Sequence, residues 1–502
     1  MPTEHQEAHR QQGAHPSPDA GPRPGAELRP GTRRPTAAET ARVLSSVVLP
    51  NLARGVIVRR PLMTGLVAGL DADRRAVSLL RGLRERHGDD PLPLRLAGRR
   101  LALVLSAEDV GRLLRETPEP FSPGGMEKRG ALSHFQPHGV LVSDHAARAG
   151  RRAANVAALV PNQTIHPDGD VIAGQADDEA LALRLALRDG EVLDWRRFAD
   201  SFHAMARRVV FGSFAAEDRR TTELLHALRS RANWSYAAPA DHAAREEFLG
   251  RVRAGVERAE PGSLAARLVA GTAAAEPPAG CPHSGGGGRG GELHGGGRRG
   301  GGGASASTGN GHGADVRPED QVAHWLFAFD AAAIAAFRSL ALLTSLSPGA
   351  HAAREEAEGR EGLDLPLLRA TVRESVRLWP TTLMVIREST RETAWREEVF
   401  EAGTAFLIAS SYFHRDSSRL PYADAFEPEI WLDGRAEAEP GIVPFSYGPA
   451  GCAARDLVPL TVSLYLRALL RGRDLARVDA GGPLPASGLP ASLNHFALRF
   501  SL

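Results

Sequence analysis

Cysteine and lysine are what this sequence is shortest of: two cysteines in 502 residues, and Lys128 as the only lysine. Cys281 and Cys452 are too far apart to suggest a disulfide framework, and neither belongs to a Cys-x-x-Cys pair of the zinc or redox kind. A formal net charge of +1 gives no global reason to expect nucleic acid or an acidic membrane as partner. Long apolar runs are missing near the N-terminus. The richest, "VLSSVVLPNLARGVIV", is broken by Pro50, Asn51 and Arg54 and is too short for a bilayer core of roughly 30 Å. No signal-peptide core precedes it, so a cytoplasmic location away from membranes is expected. Also missing are a GxGxxG loop between strand and helix, a GxxxxGK[ST] phosphate loop, HExxH and GxSxG. Their absence removes the commonest sequence grounds for dinucleotide binding, phosphoryl transfer, zinc proteolysis and esterase chemistry.

What is present describes a soluble globular protein, 42% apolar and 24% charged, with enough chain to bury a large core. Residues 1–40 are Pro-, Gly- and Gln-rich and are expected to form a disordered tail. Residues 272–316, which include "GCPHSGGGGRGGELHGGGRRGGGG" and Cys281, are expected to form a disordered insert within a single domain spanning 41–502. Helical periodicity marks "AVSLLRGLRERH", "LALRLALRD", "AREEFLGRVRAGVERA" and "LLRATVRESVRLW". Short β-rich segments near 92–105 and 404–410 predict small sheets. The fold class is therefore mainly α with small β-sheets.

Cys452 stands in "VPFSYGPAGCAARDL", where Phe445, Gly448, Gly451 and Cys452 are set as F-x-x-G-x-x-G-C before an amphipathic helix. A lone cysteine is ordinarily a small buried hydrophobe. A glycine turn that aims backbone N–H groups at the sulfur, with a helix start close by, would instead stabilise a thiolate suited to a soft or redox-active metal.

With this loop as its centre, the chain from about residue 90 onward resembles the cytochrome P450 family of heme-thiolate monooxygenases, of the soluble bacterial kind. The resemblance implies that Cys452 is the axial ligand of a heme b iron, that Phe445 packs under the ligand loop and that Gly448 makes its turn. Thiolate ligation favours O–O cleavage. In "ESVRLWP", Glu374 and Arg377 match the family's ExxR and share a helix face. "HRD" at 414–416 and "FEPEIWLDGR" at 426–435 follow in the family's order. Ile430 replaces the arginine that usually completes this network, leaving Arg415, Arg419 or Arg435 as substitutes. In "SDHAARAGRRAAN", Asp144, Arg148 and Arg152 fall on D-x-x-x-H-x-x-x-R with Arg148 for histidine. Arg148, Arg152 and Arg387 are the implied heme-propionate contacts, while Ala450 and Ala454 depart from the family's ligand loop.

"WLFAFDAAAIAAFRSLALL" resembles the long helix that crosses the distal face of the heme. Ala328 takes the glycine position and Asp330 that of the catalytic acid, but Ala331 replaces the threonine that helps deliver protons. The resemblance therefore implies a heme held between this helix and the Cys452 loop, with Asp330 and water, or a substrate hydroxyl, moving protons. The implied activity is O2-dependent hydroxylation, in secondary metabolism, of an apolar or carrier-presented small molecule. Electrons would come from a separate ferredoxin-type partner and its reductase, docking near Arg455, Arg467, Arg471 and Arg473. The pocket is expected to be lined by Phe329, Ala333, "PTTLMV" at 380–385 and the loop near 120–140. Two alternatives follow from Ala331: a peroxide-driven enzyme, for which the arginine beside the distal acid is missing from the local sequence, and a non-catalytic heme-binding or sensory protein.

Overall fold

Helix formation here follows the apolar periodicity and its punctuation. In the computed structural model, residues 34–502 are described apart from 97, 144, 189, 235–237 and 276–315. The helices that build the site are α1 (Ala107–Arg115), α2 (His145–Leu159), α3 (Gly169–Ala186), α4 (Trp195–Phe211), α5 (Arg219–Ala232), α6 (Pro318–Leu343), α7 (Pro366–Leu378) and α8 (Leu457–Leu470). Proline opens α6 and α7 at their first position, where no intrahelical N–H is lost. Glu319 and Asp320 in the first turn of α6 complement its dipole.

Helix α6 is 26 residues long and apolar enough to cross a membrane, but 78% of its apolar window is buried inside the fold, which makes it a core helix. It packs against α4, α7 and α8, while α3 packs on α4 and α8. This bundle holds the larger core, with Phe198, Phe202, Phe337, Leu460 and Tyr465 almost wholly enclosed.

A second core lies on a five-stranded sheet of β1 (Leu92–Leu96), β2 (Arg99–Leu103), β3 (Phe121–Ser122), β4 (Met384–Ser389) and β5 (Ala405–Ala409), in the order β1-β2-β5-β4-β3. Only β2 and β5 run parallel. In β4 the two-residue period buries Val385, Arg387 and Ser389 on one face. A basic side chain is thus drawn into the protein by its place in a strand.

The described residues belong to one unit, Arg34–Leu502. The expected tail over 1–40 overlaps a helix at Ala37–Val43, nucleated by a capping box between Thr36 and Glu39; residues 1–33 lie outside the described residues. The expected insert over 272–316 likewise begins within the helix Leu264–Ala275, and Val316 at its other end is buried. Cys281 and the polyglycine tract lie outside the described residues.

Candidate heme-thiolate site

The ligand loop is shaped by glycine at a place where no other residue fits. Gly448 has φ +69°, and a Cβ there would come within 2.2 Å of the Leu114 carbonyl oxygen at the end of α1. The loop closes through the Gly451 N–H donating to Gly448 O (2.9 Å) and the Cys452 N–H donating to Phe445 O (2.9 Å). Ser446 also adopts positive φ (+54°), and its hydroxyl accepts from Arg387 Nη2 at 3.3 Å. Strand β4 therefore anchors the loop that presents the cysteine.

Cys452 is half-buried and free. Burial pushes its thiol up from the ordinary value, against an opposing hydrogen bond from the Ala454 N–H and the charges of Arg152 and Arg455. Turns lead from Cys452 into α8, with the Val458 N–H donating to Ala454 O (2.9 Å) before the helix proper begins at Leu457, and the Asp456 charge opposes the thiolate. The local amide and the two arginines favour the thiolate instead.

Four cations are coupled electrostatically to one another and to Cys452. Arg152 senses the Cys452 charge, Arg148 senses Arg152, Arg387 senses Arg148, and Lys128 senses both Arg387 and Arg148. Burial, reinforced by these like charges, lowers Arg387 to about 10 and Lys128 to about 7. Arg148 is buried and, among the described residues, is bonded by the Val140 carbonyl alone (2.8 Å), and Arg387 bonds Thr117 Oγ1 and the Ile386 carbonyl besides Ser446. Among the described residues, none of these four cations has a carboxylate within ion-pair distance. Arg148 and Arg387 are buried, Arg152 and Lys128 partly so, and Glu127 only partly offsets the charge of Lys128; like charges gathered this way are costly. A ligand bearing two carboxylates beside a thiolate-binding metal would neutralise them, which is what the propionates of heme b supply, so the residues fit that cofactor. The motifs do not mark Lys128 for this role; its uniqueness in the chain is the available signal. Asp144 lies outside the described residues.

Glu374 and Arg377 are both wholly enclosed and pair bidentately, Nε–Oε2 at 2.5 Å and Nη2–Oε1 at 2.8 Å. Arg377 also donates to the carbonyls of His414, Tyr422, Ala423 and Ala425, and so fixes the chain leading to the ligand loop. None of the three substitute arginines completes the pair. Arg415 is held by Asp424, Arg419 by Glu439, and Arg435 by Asp433 and Glu427. Glu374 is completed instead by the Trp431 indole N–H (3.1 Å) and the Glu427 N–H (2.9 Å). His414 Nε2 accepts from the Val443 N–H (2.9 Å), so Nδ1 carries the proton and donates to Arg377 O (3.1 Å). Burial and the Arg377 charge lower this imidazole to about 3.

On α6, Asp330 is drawn away from a free role. Arg229 of α5 pairs with it at 2.5 Å and His203 of α4 lies at 3.5 Å. Burial would raise its carboxyl, but these two partners more than offset that and hold it well below the carboxylate range. The arginine absent from the local sequence is thus supplied from α5, over a hundred residues upstream. The expected lining by Phe329 and Ala333 is displaced by one helical face: both are packed in the core, Phe329 against Phe202. Accessibility on α6 survives at His324, Phe327, Ala328, Asp330 and Ala331.

Residues 354–485, which carry ExxR and the Cys452 loop, match the family model described as Cytochrome P450. Mitochondrial sterol 26-hydroxylase of Mus musculus is 32% identical over 127 residues, 24% of this chain and 24% of that protein. Cyclooctat-9-en-7-ol 5-monooxygenase of Streptomyces melanosporofaciens is 34% identical over 126 residues, 24% of this chain and 27% of that protein. The matched stretch thus spans about a quarter of these curated relatives. A 6-coordinated cytochrome P450 from Thermus thermophilus shares the fold with a TM-score of 0.56 at 18% identity, covering 85% of this chain and 97% of that one. The ligand loop and the buried Glu374–Arg377 pair both lie within the stretch that matches the Cytochrome P450 model, and the chain as a whole shares the fold of solved cytochrome P450 structures.

Proposed function

We propose that the protein is a monooxygenase that hydroxylates an apolar small molecule with O2, taking its electrons from a separate ferredoxin-type partner and reductase. The observation that carries this reading is the Gly448 turn presenting Cys452 and tied to Arg387 through Ser446, with buried Arg148 and Arg387 lacking a carboxylate partner among the described residues, a set suited to one dianionic, metal-bearing cofactor. Heme b bound there supplies thiolate-assisted oxygen activation. The chain's own residues supply the rest. Cys452 ligates, Arg148, Arg152, Arg387 and Lys128 bind the propionates, Phe445 and Gly448 shape the loop, and Glu374 with Arg377 keeps it in place. Phe327, Ala328 and Ala331 present an apolar surface that keeps water scarce. The alcohols and sterols named for the curated relatives agree with such a surface.

Proton delivery requires the Asp330–Arg229 pair to open, because a carboxylate held this low is a weak proton carrier. If Asp330 is the relay, Asp330→Ala uncouples NAD(P)H consumption from product formation; unchanged coupling removes it from the mechanism. For the redox partner, Arg473 is exposed near α8, whereas Arg467 is buried and bonded to the Gly362 carbonyl and so leaves the expected docking group. A reduction rate that falls with ionic strength is the expected sign of acidic-partner docking. A second reading, peroxide-driven oxidation by the same thiolate-ligated heme, draws on Ala331 and on the arginine beside Asp330. Product formed with peroxide alone, and none with reductase and ferredoxin, selects it.

A further inference from the structure

Three arginines distant in sequence meet on one cleft. Arg54 closes the helix Leu49–Arg54, and Arg59 follows in the segment after it. Arg338 lies on α6 seven residues past Ala331, which puts it on the same helix face about two turns further on. The cleft they line measures about 420 Å³ counted to its mouth, and its walls include Pro380 and Leu383 from the stretch expected to line the substrate pocket.

Arg54 is paired: its Nη1 and Nη2 donate to the two oxygens of Asp73 at 2.7 and 2.9 Å. Arg59 and Arg338 have no carboxylate within ion-pair distance among the described residues and rest on main-chain carbonyls instead. Arg338 donates from Nε and Nη2 to Leu493 O (3.1 and 2.8 Å) and from Nη1 to Trp379 O (2.9 Å). Arg59, which is only partly buried, donates to Gly55 O and to Thr381 O. Removal from bulk water, reinforced by neighbouring arginines, lowers Arg59 to about 10 and Arg338 to about 9. The Asp73 charge opposes this at both. Asp330, already committed to Arg229, opposes it at Arg59, so the cleft and the acid of α6 are neighbours.

A brace between carbonyls does not need three positive charges in one cleft. Arg207 shows the ordinary case: it too is buried and held by main-chain carbonyls, but the charges of Asp218, Glu179 and Glu217 act on it. Here three guanidiniums, Arg54, Arg59 and Arg338, share the single carboxylate of Asp73. Gathering like charge away from water is costly unless an anion joins it. The walls and donors select that anion. Ala68, Pro380, Leu383 and Ala491 are apolar, so the molecule bearing the charge is apolar elsewhere. Of its five N–H groups Arg338 has spent three, and the two left match the two oxygens of a carboxylate.

Building on the monooxygenase reading, we propose that Arg59 and Arg338 bind the carboxylate of an otherwise apolar acid whose body runs past Pro380 and Leu383 onto the open face of α6, making the protein selective for such acids over their neutral esters. The two arginines position the acid; neither takes part in the oxidation step.

Matched probes test this on the heme-loaded protein: decanoate with methyl decanoate, and 1-adamantanecarboxylate with its methyl ester, titrated by calorimetry and by the spin-state absorption shift. The reduced, carbon monoxide-treated spectrum is recorded first; absence of the thiolate band defeats the monooxygenase reading itself and is a separate failure, since calorimetry still reads the anion site. At least one acid binds about tenfold or more tightly than its ester, and acetate, the headgroup without the body, binds about tenfold or more weakly than that acid. In Arg59→Gln the ratio of acid to ester falls about fivefold or more while ester affinity is kept. Arg59→Lys, which retains the charge, keeps part of the ratio. Equal binding within each pair, a ratio unchanged in Arg59→Gln, acetate binding as tightly as the acids, decyl phosphate binding more tightly than decanoate, or no binding by any probe overturns the proposal. So does calorimetric binding without a spin-state shift in protein that shows the thiolate band, which would place the anion away from the substrate pocket.

Discussion

Around Glu374, Arg377 and His414 every polar side-chain atom is engaged, whereas α6 carries, about two turns apart, an ion pair borrowed from other helices and the Arg338 guanidinium, with no carboxylate on it among the described residues. The first region reads as a finished structure. The second reads as a surface waiting for something to complete it. On the proposed function, their difference separates what would hold a cofactor loop, which must be rigid, from what would face a substrate, which must leave capacity unspent.

The comparison breaks most visibly at Arg377. Arg377→Leu strands the Glu374 carboxylate and four backbone carbonyls in a closed interior, and a loss of about 4 kcal/mol or more is expected, seen as failure to recover folded, heme-loaded protein. Asp330→Asn follows, at about 2–3 kcal/mol by urea unfolding, because it leaves the buried Arg229 guanidinium short of its charge partner. Adding Arg229→Leu should recover much of that loss; strict additivity would mean the two side chains do not act as a pair. Trp431→Phe removes one N–H from Glu374 and is expected to cost about 1.5 kcal/mol, with no change in substrate preference.

Further effects come with pH. His414 is lowered from 6.5 to about 3 in the folded protein, so the unfolded chain binds more protons between those values. Its contribution is fully present above pH 6.5 and is lost as pH falls toward 3. Lys128 is lowered from 10.5 to about 7, so apoprotein stability should rise as pH climbs from about 7 toward 10.5. Lys128→Met flattens that rise in the apoprotein, and a slope that survives the substitution assigns it to another group.

Part of the site is legible in the sequence through local spacing: Glu374 and Arg377 pair across one helix face, and Gly448 makes the turn before Cys452. What escaped were partners brought from afar. Trp431 fills the place looked for among arginines, with a single neutral indole N–H on one carboxylate oxygen where an arginine would add a charge. Arg229 reaches Asp330 from α5, a pairing no spacing rule contains. The accessible face of α6 was misplaced because a helix apolar on all sides gives periodicity nothing to choose between. Lys128 and Arg338 share a simpler reason. Each is conspicuous only once its neighbours are known to carry too little counter-charge.

The most direct test of the whole account is the reduced, carbon monoxide-treated absorption spectrum of the heme-reconstituted protein beside that of Cys452→Ser. The account predicts the red-shifted band of thiolate-ligated heme in the first and its loss in the second. A colourless protein after reconstitution, or the same band in both, would contradict it.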